Sequence, residues 1–544
     1  MKRVRWRLVG SLVMTGGLFG SNDLIRNDGN GISGFVRLSR SVAVASQVAA
    51  DYKLNRYRDG DPDVLRNLAH ERGARRLLEL CEKNGGLYIK FGQHLAQLDH
   101  VIPAQYCRTL SSLLAACRPR SISQIREVFR REFGSDIDSC FSSFSEEPIA
   151  VASLAQVHSA VRKDSNQKVA VKVQHLGLQE SSKADIFTVT SLVSLAHHLF
   201  PNFDFRWIAE ETAENLPKEL DFVLEGENLE RCRRNLGDST EMVTPDVHWD
   251  WTTSSVLTMS FEEGTQILMV DKIMGMGLDP KDVSRIISRT FADQIFKHGF
   301  LHCDPHGGNI LVRRHPERPT KPQLVLLDHG LYKELGDRFR IDYAHLWHGL
   351  MTRNESEVQS SAVGLGADGE SFRLLAAMLT LKSWNQIVGV DNEVESKLAF
   401  DRLEMKHGTD NSEELRGYVE QYFPEISELL SSMPRELLLV MKTNDNLRSI
   451  DRALGAPLNT LTITAETISR VIEEEGLSNL DPGDWMSTLQ VRSRTLNMHI
   501  RIYAFQLLVA YSRLMKAVSS LFSKQKDVSD AAIETPGPLT SPAD

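Results

Sequence analysis

The run His302-Cys303-Asp304-Pro305-His306-Gly307-Gly308-Asn309 sets a carboxylate five residues ahead of an amide. A carboxylate can take the proton of an attacking hydroxyl, and a neutral amide oxygen can hold a divalent cation without competing for that proton. Further on, Leu324-Val325-Leu326-Leu327 delivers Asp328 into the turn Asp328-His329-Gly330. An acid that follows four apolar residues is costly to bury unless a cation meets it, and Mg²⁺ bridging nucleotide phosphates is the natural candidate. Upstream, Val169-Ala170-Val171-Lys172-Val173 alternates as a strand does, with three valines on one face and Lys172 on the other. A small-residue stretch, Ala150-Val151-Ala152-Ser153-Leu154-Ala155, precedes that strand by the length of a hairpin. Small side chains there let a backbone approach phosphates closely, at some cost in flexibility where glycine is missing. Taken singly these are common features: a strand lysine is usually solvated, and a small-residue turn is usually only a turn.

The elements that must carry these residues fall into one order. The spacing predicts helices from Pro62 to about Ser112, broken at Gly85-Gly86, and an amphipathic helix from Gln124 to Phe141. Short strands follow between 149 and 174, then helix from Ser181 and again from Asn215. Asn215 reads as the cap of a helix with Pro217 in its first turn, which places Asp221 and Glu225 four apart on one face. A hinge strand, Val256-Leu257-Thr258-Met259, closes this half, with Met259 a candidate backbone contact for a purine. Beyond Asp271 the chain reads as helical apart from strands at Ile310–Val312 and Leu324–Leu327. Small-residue loop, strand lysine, helix acid, H-x-D-x-x-x-x-N and D-x-G is the order of the protein-kinase fold. The expected fold class is therefore α+β and two-lobed, with a small mixed N-lobe, a mostly helical C-lobe and a helical N-terminal extension.

The motifs also resemble those of the UbiB (aarF-domain) family, over roughly residues 60 to 460. Leu87-Tyr88-Ile89-Lys90-Phe91-Gly92-Gln93 is similar to its K-x-G-Q signature and Glu219-Leu220-Asp221 to its E-x-D motif. Pro148 to His158 resembles its Ala-rich loop, and His302 to Asn309 its H-x-D-x-H-P-G-N. Asp328-His329-Gly330 and Asp445-Asn446-Leu447-Arg448 look closest to the mitochondrial aarF-domain kinase 1 subgroup. The resemblance implies that Lys172 meets the α/β-phosphates of ATP and pairs with Glu225. It implies that Asp304 is the catalytic carboxylate and that Asn309 and Asp328 hold Mg²⁺. The nucleotide loop would comprise Ala150, Val151, Ala152 and Ser153. Lys90 and Gln93 would lie across the site near Glu219 and Asp221, as regulatory residues that close the groove a protein substrate needs. ATP and Mg²⁺ are thus the implied cofactors, with a membrane lipid or small lipid-like molecule as partner and lipid or isoprenoid-quinone homeostasis in mitochondria as the setting. An alternative is a nucleotide-gated scaffold that binds ATP without useful turnover. Four positions depart from the pattern: Val151, Leu176, Gly307 in place of proline, and Ser260 in the hinge. Gly307 is expected to loosen the catalytic loop.

A formal charge of −9 over 544 residues, with no basic block in the main body, argues against nucleic acid as principal partner. The first 50 residues differ. Seven bases there face only Asp23 and Asp28, and an uncharged run from Leu8 to Gly20 is too short to span a bilayer comfortably. A secretory signal, a mitochondrial presequence and a short membrane-associating helix all fit such a start. The apolar stretch 497–522 carries Arg501, Arg513 and Lys516, which suits a packed or interfacial helix better than a spanning one. The expected organisation is a targeting or membrane-associating segment at 1–50 and the K-x-G-Q extension at 51–120. The N-lobe would occupy 121–264, the C-lobe 265–495, the apolar helix 496–523 and a disordered tail 524–544. Six scattered cysteines with no C-x-x-C pair read as buried thiols rather than metal ligands, and Cys303 as a small apolar filler.

Overall fold

The computed structural model describes residues 30–380, Trp384 and 429–500, apart from short stretches within them, of which 200–205 is the longest. The run Leu8–Gly20, most of 497–522 and the tail lie outside the described residues. No described helix is long and apolar enough to cross a membrane.

An extension of four helices comes first: α1 (Asn30–Leu54), α2 (Pro62–Asn84), α3 (Leu87–Ala96) and α4 (Ala104–Leu110). Among the described residues helix is present from Asn30, inside the stretch expected as a targeting segment. Arg37 of α1 binds Asp185 and donates to the carbonyl of Asn84 at 2.5 Å, which ties the helix to the body. Asp61 caps α2 by accepting from the Asp63 N–H, with Pro62 in the first turn where its missing N–H costs nothing. The expected break at Gly85-Gly86 is present. Both glycines have positive φ, 65° and 53°, a region open to glycine and strained for other residues.

The small lobe begins with α5 (Ile122–Phe133) and a short α6 (Ile137–Cys140). The expected single helix to Phe141 stops early because Gly134 takes the left-handed conformation that ends helices. Strands β1 (Phe141–Phe144), β2 (Ala150–Val151), β3 (Ala155–Arg162), β4 (Lys168–Gln174) and, later, β6 (Val256–Ser260) form an antiparallel sheet of order β1-β3-β4-β6, with β2 on β3. Val169, Val171 and Val173 are fully buried against Ile125, Phe129 and Phe141. Lys172 therefore emerges from the opposite face, beside Ala155, Ala170, Leu257, Met259 and Phe222.

Helices α7 (Leu178–Leu199), α8 (Arg206–Glu219) and α9 (Phe222–Leu236) connect the lobes. The helix expected to start at Asn215 is instead the end of α8, which runs through Asn215 and stops at Glu219. Pro217 lies in the last turn of α8, Asn215 donates back to Glu211, and Asp221 caps α9 by accepting from the Val223 N–H at 3.0 Å. Asp221 and Glu225 therefore do not repel along one helical face, because the Asp221 carboxylate satisfies the orphan donors of the α9 N-terminus.

The large lobe holds β5 (Met242–Val243), β7 (Thr265–Gln266), α10 (Val270–Gly275), α11 (Pro280–Ala292), β8 (Phe300–His302), β9 (Ile310–Arg314), β10 (Pro322–Leu326) and β11 (Tyr332–Glu334). It continues with α12 (Asp337–Thr352), α13 (Glu355–Gly364), α14 (Phe372–Thr380), α15 (Arg435–Ala453) and α16 (Thr460–Ser478). One hydrophobic core built from Phe291, Phe296, Leu301, Leu324, Tyr343, Leu375, Leu437 and Ile468 joins these helices to the small sheets β5-β10-β9-β7 and β11-β8. Cys81, Cys107, Cys140, Cys232 and Cys303 are buried and unbridged, and burial raises the Cys303 thiol to about 12, as suits a packed filler. Cys117 lies outside the described residues.

Candidate active site

Strand β4 aims Lys172 into the cleft between the lobes, and the first turn of α9 aims Glu225 at it. The Lys172 ammonium is 2.6 Å from Glu225 Oε1 and 3.5 Å from Asp328 Oδ1. Glu225 is 2% exposed, and its second oxygen, Oε2, has no hydrogen-bond partner. Burial pushes its carboxyl up to about 7 against the pull of Lys172, with the charge of Asp328 adding to the push. Two carboxylates thus share one lysine, and the cluster has an unmet demand for positive charge.

Asp328 follows β10, but its side chain is 40% exposed: it opens into the cleft instead of being buried, as the apolar run before it had suggested. Its Oδ1 accepts from the Gly330 N–H at 3.0 Å, and Asn309 donates to Oδ2 at 3.4 Å. Partial desolvation in the cleft opposes its ionisation, yet Lys172 and the Gly330 N–H outweigh it and hold the carboxyl far below the usual range. His302 joins this loop to the next. Its Nδ1 accepts from the Asp304 N–H at 3.0 Å, so Nε2 carries the proton and donates to the Asp328 carbonyl at 2.8 Å. His329 is a neutral packing group. Burial lowers it to about 3, Nε2 donates to the Leu326 carbonyl, and Nδ1 accepts from the Tyr332 hydroxyl. No three His, Cys, Asp or Glu side chains among the described residues form a metal cage. Asp328 and Asn309 offer hard oxygen donors of the kind that would hold Mg²⁺.

Asp304 sits at the far end of the cleft. Lys442 lies 3.8 Å from its Oδ1, and Asn446 donates to the same oxygen at 3.3 Å. Burial raises the Asp304 carboxyl, but Lys442, then Lys90, His306 and His94, hold it well below the usual range. It stands ionised, ready to accept a proton. Neither Lys442 nor Asn446 was among the candidates read from the sequence. Lys442 carried no signal, and Asn446 only its place in the Asp445–Arg448 stretch; they reach Asp304 because α15 folds back against the catalytic loop. Gly307 belongs to a short 3₁₀ turn, Gly307–Asn309, and a Cβ there would lie 2.5 Å from Leu268 Cγ. Its lack of a side chain makes room for Leu268, and the His306 ring caps the turn at the Gly308 N–H, so the loop is held despite the missing proline.

The extension covers this end. Lys90 of α3 is 2.7 Å from Glu219 Oε2, with His94 Nε2 3.8 Å from Glu219 Oε1. Gln93 and Asp221 do not join that pair: the Gln93 amide donates to the Leu113 carbonyl at 2.8 Å, and Asp221 caps α9. Gly92 is needed for close packing. A Cβ there would sit 2.4 Å from Leu113 Cδ1 and 3.1 Å from Cys81 Sγ, and both residues are buried. Gly92→Val should therefore cost about 1–3 kcal/mol through overpacking, read as a lowered thermal midpoint by circular dichroism; an unchanged midpoint would overturn this account of the glycine.

The small-residue loop is more restrained than a glycine loop. The Ala152 N–H donates to the Ala155 carbonyl at 2.8 Å, and His175 binds the Ala152 carbonyl at 3.1 Å. Leu154 packs into a cluster with Leu87, Leu178, Leu216 and Leu220, with Ser153 buried beside it, while Ala150 and Ala152 remain exposed and Val151 half-buried. In the hinge, Met259 pairs with Ala170 across the sheet and lines its apolar underside. Ser260 is spent on structure, accepting from the Asp246 N–H and donating to Glu262.

A lysine–glutamate pair under a five-stranded sheet, an ionised aspartate in a helical lobe and a D-x-G turn between them define an atypical, protein-kinase-like protein. The profile of the ABC1 atypical kinase-like domain matches residues 112–362. AarF domain-containing protein kinase 1 of Mus musculus is 39% identical over 84% of this chain and 84% of its own length. An ABC1 protein of Arabidopsis thaliana is 39% identical over 89% of this chain and 91% of its own. A Dictyostelium discoideum relative named as a serine/threonine-protein kinase is 37% identical over 82% of this chain and 62% of its own. The chain belongs to the AarF-domain (ABC1) family of atypical kinase-like proteins.

Proposed function

We propose that this chain is a Mg²⁺-dependent ATP-binding kinase or ATPase acting on a small, lipid-like acceptor or on water, in mitochondrial lipid or isoprenoid-quinone homeostasis. The observation that carries the reading is Lys172 shared between Glu225 and Asp328, with Asn309 alongside. Such a cluster is short of positive charge, and Mg²⁺ held by Asp328 and Asn309 would supply it beside the nucleotide's phosphates. Lys172, oriented by Glu225, would hold the α/β-phosphates, and the Met259 strand would receive the purine. Asp304 would take the acceptor's proton as its oxygen bonds to the γ-phosphorus, while the bond from that phosphorus to the β,γ-bridging oxygen breaks and ADP departs with the electron pair.

Lys90 and Glu219 stand over the Asp304 end of the cleft, which favours water or a slender acceptor over a polypeptide loop. The same cover supports a second reading, a nucleotide-gated scaffold that binds ATP without useful turnover. Five exposed apolar residues on the segment 485–500, Trp485, Met486, Leu489, Leu496 and Ile500, lead into the apolar stretch that follows and support a membrane setting. Mg-ATP binding and phosphate release by the full chain, with and without phospholipid vesicles, test the reading. Binding with turnover is expected, stimulated by vesicles. Binding without turnover would leave the scaffold, and no binding would overturn both.

A further inference from the structure

We propose that Lys442, carried by α15, is the cation that receives the γ-phosphoryl group of ATP beside Asp304, and that Asn446, one turn further on, holds the Asp304 carboxylate in place for it. The inference rests on the ATP reading above and assigns a role to residues outside the kinase-order motifs.

The charges at this end of the cleft define the problem. An ionised Asp304 repels the terminal phosphate, whose transfer also spreads negative charge over three equatorial oxygens. A cation has to stand between them. Lys172 is 2.6 Å from Glu225, and Lys90 is 2.7 Å from Glu219, so both ammonium groups are engaged in ion pairs. The catalytic loop offers no ammonium of its own. Its nearest basic residue, His306, is exposed and turns Nδ1 to the Gly308 N–H.

Lys442 differs from these. Its Nζ is 3.8 Å from Asp304 Oδ1, too far for a hydrogen bond, and its side chain is 17% exposed. It is held beside the carboxylate without a hydrogen bond to it, and its charge also reaches the Glu211 carboxyl. The helix that carries it is fixed to the catalytic loop. Thr443 donates to the His302 carbonyl at 3.5 Å, Asn444 to the Tyr343 hydroxyl at 3.1 Å, and Leu437 and Val440 are buried in the large-lobe core. Asn446 completes the arrangement at 3.3 Å from the same Asp304 oxygen, leaving Oδ2 for the acceptor's proton. Lys442 exchanges no proton in the step. Its charge follows the phosphoryl group as the new P–O bond forms and the old one breaks.

The test compares the full chain with Lys442→Met, Lys442→Arg and Asn446→Ala, measuring Mg-ATP and Mg-ADP affinity by calorimetry beside kcat and KM for phosphate release. Wild type should prefer Mg-ATP. Lys442→Met should weaken Mg-ATP by about tenfold or more, leave Mg-ADP within about twofold, and cut kcat by about 10²–10³-fold, the usual cost of one charge-stabilising donor. Lys442→Arg should restore the preference for ATP, and Asn446→Ala should lower kcat with little change in KM. Equal weakening of both nucleotides, or no change in either, would overturn the assignment. Equal ATP and ADP affinity in wild type would also overturn it while leaving ATP binding intact, whereas a wild type that binds neither nucleotide defeats the parent reading. Acylation of Lys442 in the wild-type chain, followed by mass spectrometry, gives a readout free of folding effects. Protection by Mg-ATP but not by Mg-ADP is expected, and equal protection would count against the proposal.

Discussion

Asp304→Asn should lower phosphate release by about 10²–10⁴-fold, the range for loss of a positioned general base, and leave Mg-ATP affinity within about threefold. The asymmetry follows from where Asp304 sits. Its carboxylate is ion-paired and hydrogen-bonded to Lys442 and Asn446 and not to Lys172, Asn309 or Asp328, the groups proposed to hold nucleotide and metal. Asparagine is nearly isosteric and keeps an oxygen for Asn446, so the loop should hold its shape. What disappears is the negative charge that accepts the proton. Because Asp304 is held well below the usual carboxylate range, its ionised form persists through the physiological range, and the wild-type rate should not fall between pH 8 and pH 5 on its account. Measuring phosphate release and Mg-ATP binding on one preparation of each protein decides the matter. Unchanged release from the variant would remove Asp304 from the chemistry, and lost binding would place it among the nucleotide ligands.

Much of this cleft could be read from the chain because the chemistry sits in short local patterns. Lys172 shares its strand with three core valines, so alternation alone assigns its face. Asp304 and Asn309 lie within one loop, and Asp328 ends an apolar strand. Glu225 was legible as the partner acid although the helix bearing it was misplaced. Asn215 and Pro217 look like a helix start, but the buried face from Ala209 to Leu216 carries α8 through them, and Asp221 begins the next helix. A cap and an interior turn draw on the same residue types, and tertiary packing decides between them. Gly134 shows the converse: an amphipathic pattern ran on past it, and a single left-handed residue ended the helix.

The site roles of Lys442 and Asn446 were not legible, although Asn446 lies in the Asp445–Arg448 stretch that carries the subgroup resemblance. Asn446 lies 142 positions from the carboxylate it binds, and no local pattern marks a residue whose role depends on a helix returning across the lobe. The hydrogen-bond partner of Gln93 was not legible for a related reason. Its motif is contiguous, but Lys90 and Gln93 are three apart on α3, and the helix turns one toward Glu219 and the other toward the Leu113 carbonyl.

Asp328→Asn should separate metal binding from proton transfer. A ligand that binds only the folded state stabilises it by RT ln(1 + [L]/Kd), about 2.7 kcal/mol at one hundred times Kd. If the carboxylate is the protein's charged ligand for Mg²⁺, the neutral amide should weaken Mg-ATP by about a hundredfold, leaving about 0.4 kcal/mol at the same concentration by that relation. The upward shift of the thermal midpoint on adding Mg-ATP should then largely vanish in Asp328→Asn and persist in full in Asp304→Asn. The surroundings support so sharp a contrast. Asp328 meets Lys172 at 3.5 Å and the Gly330 N–H at 3.0 Å, and it opens into the cleft, so its charge is both paired and available. Without Mg²⁺ the two proteins should respond alike to ATP, because the charge that distinguishes them then has no ion to hold. A full Mg-ATP shift in Asp328→Asn would move the metal to other residues, and a shift lost in both variants would mean that the two ends of the cleft act as one site.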